Sequence, residues 1–201
     1  MTARMPSQME LKQPMSDIRA GFLGCSGTGR TGVATELSRR LSLPILLSRT
    51  ITQPILQRDS YDYASGQQVE RFLASERREI ELISTRIKRE KELGSFVSDR
   101  TIIDHFAYLL LDVDNYSDAD MKEMSLICME HAKTYTHLFH IPWPTVKPKS
   151  NGVRTLNRWY QYSVDAVIRG LCQSWGLKVF YCSQSTNIDQ IHDAFGHWCD
   201  K

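Results

Sequence analysis

At 201 residues, with 41% hydrophobic and 24% charged side chains, the chain has the length and composition of one soluble α/β domain with a substantial core. A net charge of +2 excludes a bulk electrostatic drive toward nucleic acid and leaves only a local basic stripe open. No apolar run approaches the ~20 residues of a membrane-crossing helix, and the start of the chain lacks the apolar middle of a secretory signal.

Residues 1–17 are polar and read as a flexible arm, which leaves 18–201 as the folded unit. Ile18 to Leu23 is an apolar run that predicts a strand. Gly24-Cys25-Ser26-Gly27-Thr28-Gly29-Arg30-Thr31 follows it and fits the P-loop template GxxxxGK[ST], except that Arg30 replaces the lysine. Glycines let successive backbone N–H groups point inward as an anion nest. The helix that follows adds its unpaired N–H groups and the positive end of its dipole. A cation reaches the outer phosphates from such a loop, and the Thr31 hydroxyl is placed to hold magnesium. Arginine keeps the charge but is a planar fork where lysine is a point charge, so phosphate binding is expected and ordinary turnover geometry is not assured. Gly27-x-Gly29-x-x-Gly32 also matches the dinucleotide fingerprint, although Arg49 stands where that pattern wants a carboxylate. An NADP-dependent oxidoreductase is therefore a competing reading. Cys25 reads as a small filler, and the five scattered cysteines without a CxxC pair fit reduced thiols in a cytosol.

Val33, Ala34, Leu37 and Leu41 give the next helix one buried face, and Leu43 to Leu47 predicts a second strand. Arg49 leaves that strand at the carboxyl edge of the sheet, where it is a candidate for an acceptor phosphate. Residues 53–66 read as a connecting segment, and 67–93 as a long helix whose charges form a solvated face. Phe96 and Val97 suit a buried strand with Asp99 at its end. A carboxylate there serves magnesium or takes a proton from an acceptor hydroxyl, and Arg100 neutralises phosphate charge beside it. Ile102 to Leu111 reads as a helix with Asp104 and Tyr108 on one face, Tyr108 being a candidate for the acceptor pocket. Asp112 to Asp120 looks like a turn, Met121 to Ala132 a helix with His131 at its surface, and Thr136 to Ile141 a strand.

Residues 143–158 carry Lys147, Lys149, Arg154 and Arg158 among prolines and predict a basic lid that closes over phosphates, the arginine-finger logic within one chain. Trp159, Tyr160, Val164, Val167, Ile168, Leu171 and Trp175 predict an amphipathic helix whose aromatics are core. Lys178 to Tyr181 is a last strand, and Ile188 to Trp198 a closing helix.

Gly24–Thr31, Asp99-Arg100 and Ala107-Tyr108 occur in the order in which thymidylate kinases show a P-loop, a strand ending in Asp-Arg and a helix with an Ala-Tyr pair. The chain thus resembles the small P-loop kinases of nucleosides and nucleotides. SDRTIIDHFAY and Asn151-Gly152-Val153-Arg154 are similar to motifs of the AAA-type group that includes the nicotinamide riboside kinase domain, in which Asn151 is often aspartate. The likeness spans roughly residues 18–185. It implies a P-loop NTPase fold, a mainly parallel central sheet with helices on both faces and a basic lid. It further implies transfer of the γ-phosphate of ATP, with Mg2+, to a nucleoside or nucleotide acceptor. Carried over by position, Gly24, Cys25, Ser26, Gly27, Thr28, Gly29, Arg30 and Thr31 hold the donor phosphates. Arg30, Asp99, Arg100, Arg154 and Arg158 are the catalytic set, Thr31 and Asp99 the metal pair, and Arg49, Asp99 and Tyr108 the acceptor contacts. Related phage enzymes phosphorylate 5-hydroxymethyluracil already in DNA, a modified-base substrate that this composition neither demands nor excludes. A regulatory module that binds nucleotide with little turnover is the reading from another class, and Arg30 favours it. The implied location is the cytoplasm (the host cytoplasm for a phage-encoded chain), with no membrane partner and a homodimer left open.

Overall fold

The computed structural model describes residues 17–58, 78–111, 116–143 and 157–198. The sheet starts from the apolar run after the arm. Strand β1 (Arg19–Leu23) is buried along its last four residues and pairs in parallel with β3 (Phe96–Ser98) on one side and β4 (His137–His140) on the other. Two short strands, β2 (Ile45–Leu46) and β5 (Phe180–Tyr181), complete the all-parallel order β2-β3-β1-β4-β5. Central parallel strands need apolar residues on both faces. Alternation sorts them here: Ala20, Phe22, Val97 and Phe139 face one core with Ala34, Leu37, Ile191 and Phe195. Leu23, Phe96 and Leu138 face the other, with Ile103, Phe106, Val164 and Ile168. The first core is covered by α1 (Arg30–Leu41) and α7 (Ile188–Trp198), the second by α3 (Arg78–Leu93), α4 (Ile102–Leu111), α5 (Asp118–Ala132) and α6 (Arg158–Ser174). The expected α/β class, the parallel sheet and the helices on both faces are all present. Among the described residues no helix is long and apolar enough to cross a membrane.

The structure departs from the sequence reading in several places. Residues 48–58, part of which was expected to connect, form the helix α2 (Ser48–Arg58) with Pro54 inside it. Ile51 and Ile55, one turn apart, are buried with Leu46 and Leu82, and this tertiary burial overrides the proline. Helix α5 starts at Asp118, three residues earlier than expected, because Ser117 and Asp120 form a reciprocal capping box. His131 is buried, not on the surface, with Nε2 2.7 Å from Glu90 Oε2. Trp159 is 75% exposed, which corrects its assignment to the core. It lies five residues before the buried Val164, about 140° around the helix from it. Residues 67–77 of the long charged helix, the arm up to residue 16, Cys199 and the lid residues 144–156 lie outside the described residues.

His137 couples this core to pH. Its ring stacks on Phe195 with centroids 4.0 Å apart, and burial, with Lys178 adding to it, holds its pKa at about 4. The folded state keeps the ring neutral while the unfolded chain protonates near 6.5, so folding stability is full above that pH and is lost as pH falls from 6.5 towards 4. One such group contributes about 3 kcal/mol over that window. Urea titrations between pH 7 and pH 4 will show this slope, and His137→Phe will reduce it, leaving the share of His105, whose pKa burial also holds well below the ordinary value.

Candidate active site

The site grows out of the carboxyl ends of β1 and β3, which lie side by side because Gly21 pairs with Ser98. Gly24 leaves β1 with φ +142°, and a Cβ there would stand 2.4 Å from the Ile141 carbonyl oxygen. Glycine is therefore required where the loop passes the end of β4. The turn closes at Gly29, the left-handed N-cap of α1 (φ +84°), where no side chain caps the helix and a Cβ would meet nothing within 4 Å. The first N–H groups of α1 thus have no side-chain cap, and uncapped N–H groups at a helix start are what an anion binds. Gly24 and Cys25 are buried, Ser26 to Thr28 half-buried, and Gly29 and Thr31 exposed.

Two residues separated by 68 positions meet at this loop. Thr31 Oγ1 donates to Asp99 Oδ2 at 2.8 Å, and the Ser48 backbone N–H at the start of α2 donates to Asp99 Oδ1 at 2.7 Å. A hydroxyl and a carboxylate held together at the helix N-terminus are a donor set that magnesium accepts alongside phosphate oxygens. Among the described residues there is no cluster of three or more His, Cys, Asp or Glu, so an all-protein metal cage is not what these residues build. The loop and this pair together fit a magnesium-bound nucleotide. Both Asp99 oxygens already accept hydrogen bonds, which suits metal holding better than removal of an acceptor proton.

Arg30 is buried at 7% exposure, and its Nη1 pairs with Asp104 Oδ1, whereas the motif led us to expect it on the outer phosphates. Arg100 stands next to Asp99 with its guanidinium carbon 4.9 Å from the centre of the Tyr108 ring. Arg49 is exposed in the first turn of α2, three positions after the end of β2, at the same edge of the sheet. Arg158 opens α6 and lies 4.9 Å over the Trp143 ring, so the two described ends of the lid segment touch. Arg154 lies outside the described residues. Burial pushes the Cys25 thiol up to about 12, with Asp165 adding to it, and a protonated buried thiol is a filler, not a nucleophile.

Sequence reasoning missed two groups here. Asp104 is completely buried and accepts from the Gly24 N–H (3.1 Å), the Thr101 N–H (2.8 Å) and the Thr101 hydroxyl (2.8 Å) as well as from Arg30. Its pairing with Arg30 joins positions 74 apart, and only its place in the first turn of α4 hinted at it. His140, at the carboxyl end of β4, bonds through Nε2 to Asp165 Oδ1 at 3.0 Å, both buried, with no motif to announce them.

A model of the AAA domain family matches residues 19–190. No curated protein matches the sequence. Among solved structures, the deoxyadenosine kinase from M. mycoides with product dCMP bound has a TM-score of 0.60 at 14% identity, covering 91% of this chain and 99% of its own. The NadR protein in complex with NR has a TM-score of 0.65 at 14% identity over 90% of this chain, which spans 52% of NadR. The thymidylate kinase from Ehrlichia chaffeensis has a TM-score of 0.55 at 11% identity, covering 90% and 98% of the two chains. At these identities the likeness establishes the fold, which is that of the P-loop nucleoside and nucleotide kinases.

Proposed function

This chain belongs to the AAA domain family, and on that premise we propose that it transfers the γ-phosphoryl group of ATP to a hydroxyl or phosphate of a nucleoside or nucleotide. The observation that carries the proposal is the Thr31–Asp99 pair at 2.8 Å beside the uncapped, glycine-closed start of α1. In the reaction an acceptor oxygen bonds to the γ-phosphorus as the bond to the β,γ-bridging oxygen breaks. ADP departs, and the acceptor proton passes to solvent or to the product phosphate. The chain's part is positioning and charge neutralisation. The N–H groups from Gly27 to Thr31 orient the donor phosphates, and Thr31 and Asp99 would hold magnesium, which would supply positive charge to the donor phosphates. Arg100, fixed over Tyr108, faces the transferred group. Arg49 and Tyr108 border the acceptor, and Arg154 and Arg158 serve the lid.

A second acceptor reading draws support from the surface. Trp159 is 75% and Tyr162 51% exposed, their rings lie 6.3 Å apart, and Trp143 packs edge-on against Tyr162 at 5.6 Å. Exposed aromatics beside an arginine are the composition on which unpaired bases stack. That favours an unpaired base in DNA as the acceptor, and a hydroxymethylated pyrimidine such as 5-hydroxymethyluracil would carry the hydroxyl that transfer needs.

Screening γ-labelled ATP against nucleosides, mononucleotides and DNA containing 5-hydroxymethyluracil tests both. Transfer to one acceptor class identifies it. Saturating ATP with Mg2+ should raise the melting temperature by about 5–10 °C, the equivalent of ~2.7 kcal/mol at one hundred times Kd. No such rise and no binding overturns the reading. Binding without transfer to any acceptor converts it into a nucleotide-binding regulatory module.

A further inference from the structure

We propose that Asp104 is a positioning residue that sets the phosphate loop by holding both of its ends, and that Arg30 serves as a strut of that loop and not as the cation facing the transferred phosphoryl group. The inference rests on the reading above that this loop binds a nucleoside triphosphate. Its basis is where four donors converge. Asp104 Oδ1 accepts from the N–H of Gly24, the first loop residue, and from Nη1 of Arg30, where the loop runs into α1. Oδ2 accepts from the N–H and the hydroxyl of Thr101, in the turn that carries Asp99 and Arg100. Asp104 itself has no exposed surface, and Arg30 is only 7% exposed.

A carboxylate in that setting is retained only when its charge is paired and its lone pairs are filled. Arg30 supplies the charge and part of the filling; backbone and hydroxyl donors supply the rest. The pairing has two consequences for a polyphosphate. It cancels a negative charge under the loop that would otherwise repel the ligand. It also ties Gly24, Arg30 and Thr101 to one rigid point, so the loop amides and the Asp99 turn keep a constant relation. Arginine suits this better than lysine, because several donors on one planar group fix direction as well as charge.

The sign of one substitution separates this from the alternative. Asp104→Asn removes a negative charge beneath the phosphates and frees Arg30. If Arg30 belonged on the phosphates, or if charge alone mattered, ATP would bind more tightly. A positioning role predicts the reverse. We expect Kd for ATP with Mg2+ to rise at least tenfold in Asp104→Asn. In the nucleotide-free protein, amide exchange across residues 22–31 should quicken while the peptides of α7 stay unchanged. Thr101→Val, which deletes only the hydroxyl donor, should move both readouts in the same direction by a smaller factor. Arg30→Met and Asp104→Asn together should bind ATP no worse than the weaker single variant, because they break one unit. Tighter or unchanged ATP binding in Asp104→Asn, or losses that multiply in the double variant, overturns the proposal. Exchange in the nucleotide-free loop decides the clamp even if the wild-type protein fails to bind ATP, which is the result that would instead sink the proposed function. If Asp104→Asn does not fold, Thr101→Val decides by the same two measurements, and an unaltered loop overturns the clamp.

Discussion

Asp99→Asn will lower kcat for phosphoryl transfer by roughly 10²–10³-fold, the cost of removing one preorganised charge partner from a transfer site, while leaving the protein folded. The two oxygens of Asp99 receive the Thr31 hydroxyl and the Ser48 N–H, so the carboxylate joins the phosphate loop to the start of α2. Asparagine keeps an oxygen for one of these donors and turns an amide NH2 towards the other. Thr31 can reorient its hydroxyl to accept from that amide, so the loss of stability is about 1 kcal/mol. What asparagine cannot supply is the negative charge beside the position proposed for magnesium. The fall in kcat should therefore come with a magnesium requirement shifted to higher concentration. A titration of Mg2+ at saturating ATP reads both. A change smaller than about fivefold in kcat, with no shift along the magnesium axis, would show that Asp99 is a structural link between loop and helix and nothing more.

The parts of this site that were legible in the sequence are those that consecutive residues specify. Gly24 to Thr31 announces an anion nest because the glycines, the helix start and the hydroxyl are neighbours in the chain. Asp99-Arg100 announces itself as a strand-end pair for the same reason. The meeting of Thr31 with Asp99 followed once the parallel order placed the ends of β1 and β3 together. What stayed hidden were partners set by tertiary contact. Arg30 reads as a phosphate cation until the fold brings Asp104 under it, 74 positions away. Glu90 and Arg86 read as part of a solvated face because their charge outweighed their spacing, three and seven residues after Ile83, which puts them on its buried side, while Arg89 and Glu92 turn away and form an exposed pair at 3.0 Å. Pro54 argued against a helix that the burial of Ile51 and Ile55 nevertheless sustains. Trp159 went astray in the opposite sense. An aromatic residue near an apolar stripe was assigned to the stripe, although its angular position is almost opposite Val164.

Glu90→Ala will destabilise the fold by about 3–5 kcal/mol, the cost of stranding a buried partner charge. Its Oε1 receives the Tyr135 hydroxyl at 2.8 Å and Arg86 Nη1 at 3.1 Å, and its Oε2 meets His131 Nε2 at 2.7 Å. Both Arg86 and Glu90 are completely buried, and Nε and Nη2 of Arg86 have no hydrogen-bond partner among the described residues. Alanine leaves that guanidinium charged in an apolar layer with its counter-ion gone. For a chain of this length the melting temperature should fall by about 6–20 °C. Glu92→Ala, on the exposed face of the same helix, should cost less than about 0.5 kcal/mol, since an exposed pair is screened by water. The effect should also reach the candidate site. Arg86 Nη1 donates to the Ser98 hydroxyl at 2.8 Å and to the Arg100 carbonyl at 2.7 Å, on either side of Asp99. A guanidinium released from Glu90 no longer fixes that turn, so Glu90→Ala should lose activity at temperatures where it is still fully folded. The replacement of both charges, Arg86→Met with Glu90→Leu, separates the two effects. Removing the pair as a unit takes out the fully buried guanidinium that Glu90→Ala strands and leaves only Arg19, 3.7 Å from Glu90 and 15% exposed, without its partner, so urea unfolding should show a smaller loss than Glu90→Ala alone. Activity should stay low because the bonds to Ser98 and Arg100 are gone. Stability losses in the double variant equal to the sum of the two singles would mean that Arg86 and Glu90 act separately, and the hub described here would not exist.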